Sequence, residues 1–132
     1  MFGAFGYTNA KYDSFDTVLG DFSGNTISFT PEFTATYGIE YQAASGLYGL
    51  ARARTTGSYY LDDANTAEQD TYTLVDLTAG YRWGSFDASV FVHNLTDQRY
   101  VVNAFGLSGP NGAEIGSIGD PRTYGVRGRM TF

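Results

Sequence analysis

Apolar and polar residues alternate one by one along most of this chain of 132 residues. That period of two confines the chain to extended strands, because only a strand sends successive side chains to opposite faces. From Thr123 to Phe132 the even positions Tyr124, Val126, Gly128, Met130 and Phe132 form one row, and the odd positions carry Arg127 and Arg129. From Tyr72 to Trp83 the odd row is Thr73, Val75, Leu77, Ala79, Tyr81 and Trp83, against Asp76, Thr78 and Arg82. Leu47 to Leu61 sets Leu47, Ala51, Ala53 and Tyr59 against Arg52 and Arg54. Glu32 to Ala43 sets Phe33, Tyr37, Ile39 and Tyr41 against Glu32 and Glu40. Phe86 to Val92 repeats the split, with Phe91 on the polar side. Met1 to about Phe15 is β-rich with poorly separated faces. The expectation is an all-β, antiparallel, up-and-down meander of about six long strands.

The connections between these runs are alternately short and long. Ala44-Ser45-Gly46 places Gly third, where a three-residue hairpin wants a left-handed residue, and Gly84-Ser85 places Gly first, as a type II′ turn requires. Counting from these turns predicts the pairs Trp83–Phe86, Tyr81–Ala88 and Ala79–Val90 on the apolar face, and Arg82–Asp87 and Asp76–His93 on the polar face. It also pairs Ala43 with Leu47 and leaves Glu40 diagonal to Arg52. The remaining connections, about 16–30, 62–71 and 103–122, are long and polar and fall at one end of the sheet. Short turns at one end and long loops at the other are the asymmetry of an outer-membrane barrel.

Composition removes several functions. There is no cysteine and only one histidine, so disulfide frameworks, thiolate sites and His-cluster metal sites are excluded. One His, no Cys and no convergent carboxylate pair leave no catalytic set, so an enzyme is not expected, nor a metal or cofactor. A net charge of −6 argues against a nucleic-acid partner. No run approaches about 18 apolar residues, so no transmembrane helix is expected. Met1 to Tyr7 lacks the basic and apolar regions of a secretory signal.

Alternation does not by itself say which face is wet. A soluble β-sandwich, here a carbohydrate-binding module given the aromatics, would turn the same apolar face inward. Three features favour the membrane. The strands match the roughly 9–11 residues that cross a bilayer at a tilt. Aromatics such as Tyr41, Tyr59, Tyr60, Tyr81, Trp83, Phe86 and Phe132 stand at strand ends, where interfacial girdles lie. The apolar rows also mix in Ala, Gly and Thr, which a lipid-facing strand tolerates.

The last third carries a motif. Phe91-Val92-His93-Asn94-Leu95-Thr96-Asp97-Gln98-Arg99-Tyr100 is followed by a Gly-rich stretch, then Gly119-Asp120-Pro121-Arg122-Thr123-Tyr124 and a terminal Phe132. This closely resembles the C-terminal end of bacterial TonB-dependent outer-membrane receptors. Gly24-Asn25-Thr26 through Pro31 is similar to the family's loop before a strand, and Tyr7 to Tyr12 resembles another recurrent strand. The resemblance implies barrels of about 22 strands enclosing a plug, which take up iron–siderophore complexes, cobalamin or oligosaccharides with energy relayed by TonB. It implies the outer membrane of a Gram-negative bacterium. The implied partners are membrane lipid, the rest of the barrel and plug, the TonB complex and the barrel-insertion machinery. Residues 1–132 match the C-terminal part of such a barrel, without plug, TonB box or signal peptide, as a C-terminal fragment or truncated product would.

Within an intact barrel, Arg52, Arg54, Arg82, Arg127 and Arg129 line the lumen. Arg52, Arg54, Arg127 and Arg129 are the candidate ligand-binding residues, because guanidinium forks bind carboxylate or catecholate chelates bidentately. The structural alternative is pairing with Glu32, Glu40, Asp76, Asp87 or plug acids. Asp62-Asp63-Ala64-Asn65 and the 103–122 loop are candidates for ligand contact or Ca²⁺, though their spacing fits no calcium motif. His93 is expected to bond Asp76. Asn94-Leu95-Thr96 matches a glycosylation sequon by chance, and Gly106 to Gly112 is a turn-rich loop rather than a phosphate cradle. Tyr124, Met130 and Phe132, with Val126, resemble the family's barrel-assembly signal.

Overall fold

A computed structural model of the chain describes residues 1–106 and 114–132. The strands run in chain order: β1 (Phe2–Tyr7), the small hairpin β2 (Asp16–Thr17) and β3 (Gly20–Asp21), then β4 (Phe33–Gln42) and β5 (Leu47–Thr56). A short ribbon follows, β6 (Tyr59–Tyr60) with β7 (Glu68–Gln69), then β8 (Tyr72–Trp83) and β9 (Phe86–His93). A second hairpin, β10 (Val101–Gly106) and β11 (Glu114–Ile118), precedes β12 (Thr123–Met130). Six of these form one antiparallel sheet in the order β1-β4-β5-β8-β9-β12, so the meander follows the chain.

The turns set the register as counted. Trp83 faces Phe86, Ala79 faces Val90 and Arg82 faces Asp87. Gln42 faces Tyr48 in the other hairpin, where the Ala43 N–H donates to the Leu47 carbonyl at 2.8 Å. Gly46 has φ +98°, and a Cβ there would run into the Arg82 carbonyl, so that turn needs glycine twice over. Gly84 has φ +56° with open space around it.

One face of the sheet is bare and apolar. Phe5, Tyr37, Ile39, Tyr41, Leu47, Tyr81, Trp83, Phe86, Val90, Tyr124, Val126 and Met130 all stand exposed on it. No second sheet packs there among the described residues. The accessible surface is 9202 Å², against the roughly 6,800 Å² expected of a folded monomer of this mass. Burial is confined to the long-connection end, where Tyr59, Leu74 and Asn94 are enclosed.

The structure corrects three expectations. The run Leu47 to Leu61 does not form one strand: β5 stops at Thr56, and Tyr59 and Tyr60 pair instead with Gln69 and Glu68 in a separate ribbon. Tyr59 is therefore buried in the connection rather than standing in an outer girdle. Stretch 103–122 is not all loop, since β10 and β11 pair within it. Part of the Gly106 to Gly112 segment (residues 107–112) lies outside the described residues. The first run is regular only to Tyr7; beyond it Lys11 bridges Thr26 in isolation.

Candidate functional site on the polar face

The opposite face carries the charges. Glu40, Tyr48, Arg52, Arg54, Asp76, Thr78, Arg82, Asp87, Ser89, His93, Arg127 and Arg129 all point to it, by the alternation of the paired strands. Two carboxylates organise it. Asp76 lies directly across from Arg52 and accepts from its Nη2 at 2.7 Å. Its other oxygen accepts the Asn94 N–H at 3.2 Å and stands 3.5 Å from His93 Nδ1, so the expected His93–Asp76 contact forms. Asp87 accepts from Arg82 Nε at 3.0 Å and from the Tyr48 hydroxyl at 2.6 Å.

The four candidate arginines therefore do not converge. Arg52 is spent on Asp76. Arg54, its neighbour on the same face of β5, lies across from Leu74. Arg127 and Arg129 lie on β12, separated from β5 by β8 and β9, and make no ion pair among the described residues. The Arg127 guanidinium sits 5.6 Å from the centre of the Phe91 ring.

Three aromatic residues on this face have a physical reason that period-two reading misses. Phe2 faces Gly38, Tyr48 faces Gly80 and Phe91 faces Gly125 across adjacent strands. In each pair the ring lies over the glycine; a Cβ would meet Phe2 at 2.6 Å or Phe91 at 2.8 Å. The ring shields bare backbone and restores the contact glycine lacks. No local signal gives these pairs, because all three lie across long connections, where no tight turn fixes the register.

The motif of the last third closes a knot. Asn94 has φ +50° and is buried. Its side-chain oxygen accepts the Gln98 N–H at 2.8 Å, while its amide nitrogen donates to the Gln98 carbonyl at 2.9 Å and the Asp120 carbonyl at 3.1 Å. Asp97, also left-handed at φ +53°, accepts the Arg122 N–H at 2.9 Å. The Asn-Leu-Thr-Asp turn thus holds the approach to β12, and the sequon's amide is fully engaged.

The long connections are tied into one rim. Asp63 accepts the Tyr12 hydroxyl at 2.9 Å and the Ser28 hydroxyl at 2.6 Å, and Asn65 exchanges two bonds with Thr26. These bonds are internal to the rim. Burial and the Asp63 carboxylate push the Tyr12 phenol up. Burial works to raise the Asp62 carboxyl, but the N–H of Ala67 and the hydroxyl and N–H of Thr66 together hold it below the usual range. Tyr59 donates to the Val101 carbonyl at 2.6 Å, and burial, with Tyr72 and Tyr100 nearby, pushes its phenol up to about 12. Gln69 accepts the Val101 N–H at 2.8 Å, and Tyr72 stacks on Tyr100.

Charge is segregated along the strands. The three long connections hold eleven of the 14 acids and three of the 8 cations, while the sheet holds three acids and five arginines. An acidic rim therefore stands above a basic wall.

A family model for the TonB dependent receptor-like β-barrel matches residues 1–95. The chain belongs to that family. The match to the TonB-dependent receptor barrel ends at Leu95, inside the motif of the last third. The chain is 35% identical over 116 residues to the ferrichrome outer membrane transporter/phage receptor of Escherichia coli, covering 81% of this chain and 15% of that protein. It is 31% identical over 110 residues to the ferrioxamine receptor of Yersinia enterocolitica, covering 78% of this chain and 15% of that protein. The solved ferric yersiniabactin uptake receptor FyuA of Yersinia pestis superposes with a TM-score of 0.71 at 25% identity, over 84% of this chain and 18% of that one. The chain thus spans about 15% of the length of the curated relatives it matches. Its place is the outer membrane, as a segment of a receptor barrel.

Proposed function

We propose that this chain forms the C-terminal wall of a TonB-dependent receptor that imports ferric siderophores. The single layer carries the reading: one face is apolar and bare, the other is charged and internally bonded, and both edge strands are unpaired. Each open edge leaves on the order of five backbone groups without partners in hydrocarbon, at several kcal/mol apiece. Two edges cost tens of kcal/mol, against a stability of about 5–15 kcal/mol. The remaining strands, the plug and the TonB-contacting segment are supplied by a longer polypeptide, in keeping with the small share of each relative that the chain spans. Siderophores are preferred to cobalamin or oligosaccharide because the relatives handle ferrichrome, ferrioxamine and yersiniabactin. No enzymatic step is assigned. Tyr124, Val126 and Met130 on the outer face of β12, with the exposed terminal Phe132, serve as the signal read by the insertion machinery.

The test is uptake of radioiron-labelled ferrichrome, ferrioxamine B and yersiniabactin by a receptor-deficient strain expressing the longer gene product. TonB-dependent uptake of one of them is expected. A product correctly inserted in the outer membrane that imports none overturns the siderophore reading. A water-soluble monomer overturns the barrel wall itself.

A further inference from the structure

The second long connection, residues 57–71, joins β5 to β8, the two middle strands of the sheet. It therefore has a neighbouring connection on each side, whatever pairs with the open edges. Its ribbon, β6 with β7, is held from both. On one side the Phe29 N–H donates to the Tyr60 carbonyl at 2.8 Å and the Asn25 amide donates to the Asp63 carbonyl at 2.9 Å. The Asp63 carboxylate takes the Tyr12 and Ser28 hydroxyls of that same first connection. On the other side the ribbon holds both backbone groups of Val101: Tyr59 donates to its carbonyl and Gln69 accepts its N–H. Tyr100, next to it, stacks on Tyr72 and accepts the Gly119 N–H at 2.8 Å, which brings in the far limb of the third connection. One side chain spans the whole arrangement. The Tyr59 ring lies 6.3 Å from the Phe29 ring of the first connection, while its hydroxyl is bonded to the third. Tyr59 is also one of the three buried side chains, and all three lie at this end of the sheet.

We propose that the three long connections open and close as one body, coupled through the ribbon of the second, with Tyr59 as the pin. The alternative is three loops, each hinged on its own strand ends. Opening the first connection alone would strip the Tyr59 ring of Phe29 and wet it; opening the third alone would leave the Tyr59 hydroxyl and Gln69 without their partners. Shared burial of this kind is what merges neighbouring segments into one cooperative unit. The coupling runs through a contiguous chain of bonds, from Tyr12 through Asp63 and Tyr59 to Val101. The rim of this wall is then a fixed jaw. Whatever closes over a solute at the mouth closes against it, and a contact made at one connection is felt by the other two. Its position at the mouth rests on the barrel-wall reading above.

The test is hydrogen exchange, read by mass spectrometry, on the complete receptor in detergent, each protein shown to be folded by its heat-modifiable mobility. Asp63→Ala cuts the ribbon from the Tyr12 and Ser28 hydroxyls, and Tyr59→Phe cuts it from the Val101 carbonyl. If Asp63→Ala fails to fold, Ser28→Ala, which removes one of the two bonds, is measured in its place. Each variant is read at the connection it does not touch. Asp63→Ala is read at Val101 and Gly119; Tyr59→Phe is read at Tyr12, Gly24 and Ile27, whose N–H groups are bonded inside the first connection. One body predicts exchange about tenfold faster at the far connection as well as the near one, with the β8–β9 ladder unchanged. Asp63→Asn, which keeps an acceptor for the two hydroxyls, should bring the far connection back toward the wild-type rate. Faster exchange at the near connection alone, or at neither, overturns the coupling. Equal quickening of the β8–β9 ladder also overturns it, since the unit would then be the whole wall. A receptor whose rim exchanges as one body but imports no siderophore overturns the substrate reading and leaves the coupled rim standing.

Discussion

The side chain of Asn94 bonds the carbonyl of Asp120, 26 residues further along the chain. That single amide joins the end of β9 to the approach of β12 and shuts the base of the third long connection. It does so from a left-handed backbone that asparagine tolerates better than most residues.

Asn94→Ala removes three side-chain hydrogen bonds and strains the turn. A cost of about 2–4 kcal/mol is expected, because the carbonyls and N–H it served are left partly buried. Denaturant unfolding of the folded receptor checks this. Asn94→Asp, which keeps the acceptor for the Gln98 N–H but sets a carboxylate oxygen against the Gln98 and Asp120 carbonyls, should cost at least as much as alanine at neutral pH.

The two tight turns predict losses of different size for glycine replacement. Gly46→Ala places a methyl against the Arg82 carbonyl at a positive φ, so a loss of about 2 kcal/mol or more is expected. Gly84→Ala adds a methyl to open space but keeps the strain of a positive φ in a type II′ turn, so a loss of about 1 kcal/mol is expected, smaller than at Gly46. Melting temperatures of the two variants in the same detergent decide it. Equal losses would mean that the Arg82 contact does not control the first turn.

Tyr59 ties stability to alkaline pH. Its phenol titrates near 12 in the fold, against 10.0 for the free group. Between those values the unfolded chain gives up this proton while the folded chain keeps it. The stabilisation is therefore complete below pH 10 and is lost as pH rises toward 12. Tyr59→Phe should remove that part of the pH dependence. It should also speed amide exchange at Val101 and its neighbours, since the Val101 carbonyl loses its donor. The readouts are unfolding midpoints across alkaline pH and hydrogen exchange of residues 94–106.

What the sequence revealed depended on how local the determinant was. Trp83–Phe86 and Arg82–Asp87 follow from counting outward from Gly84-Ser85, because a two-residue turn leaves one register that keeps both faces intact. The same logic carried Ala43 to Leu47. Tyr59 obeyed the alternation and still left the sheet, because its partners, Gln69 across the small ribbon and the Val101 carbonyl, lie 10 and 42 residues away. The bonds from Asp63 to Tyr12 and Ser28 span 51 and 35 residues, and no periodic pattern encodes them. At the candidate site, face membership was legible for all four arginines, but their separation was not. Arg52 and Arg127 look alike along their strands; only the order of the strands shows that one has Asp76 beside it and the other has Ser89.

The rings of Phe2, Tyr48 and Phe91 lie flat on glycine, and this sets the bore of any passage the wall encloses. An aromatic side chain standing upright would narrow the channel by most of its own length. Reclined, it adds little more than the thickness of a ring. Replacing Gly38, Gly80 or Gly125 by a bulkier residue would raise the ring and constrict the channel from the side, at three heights along the wall.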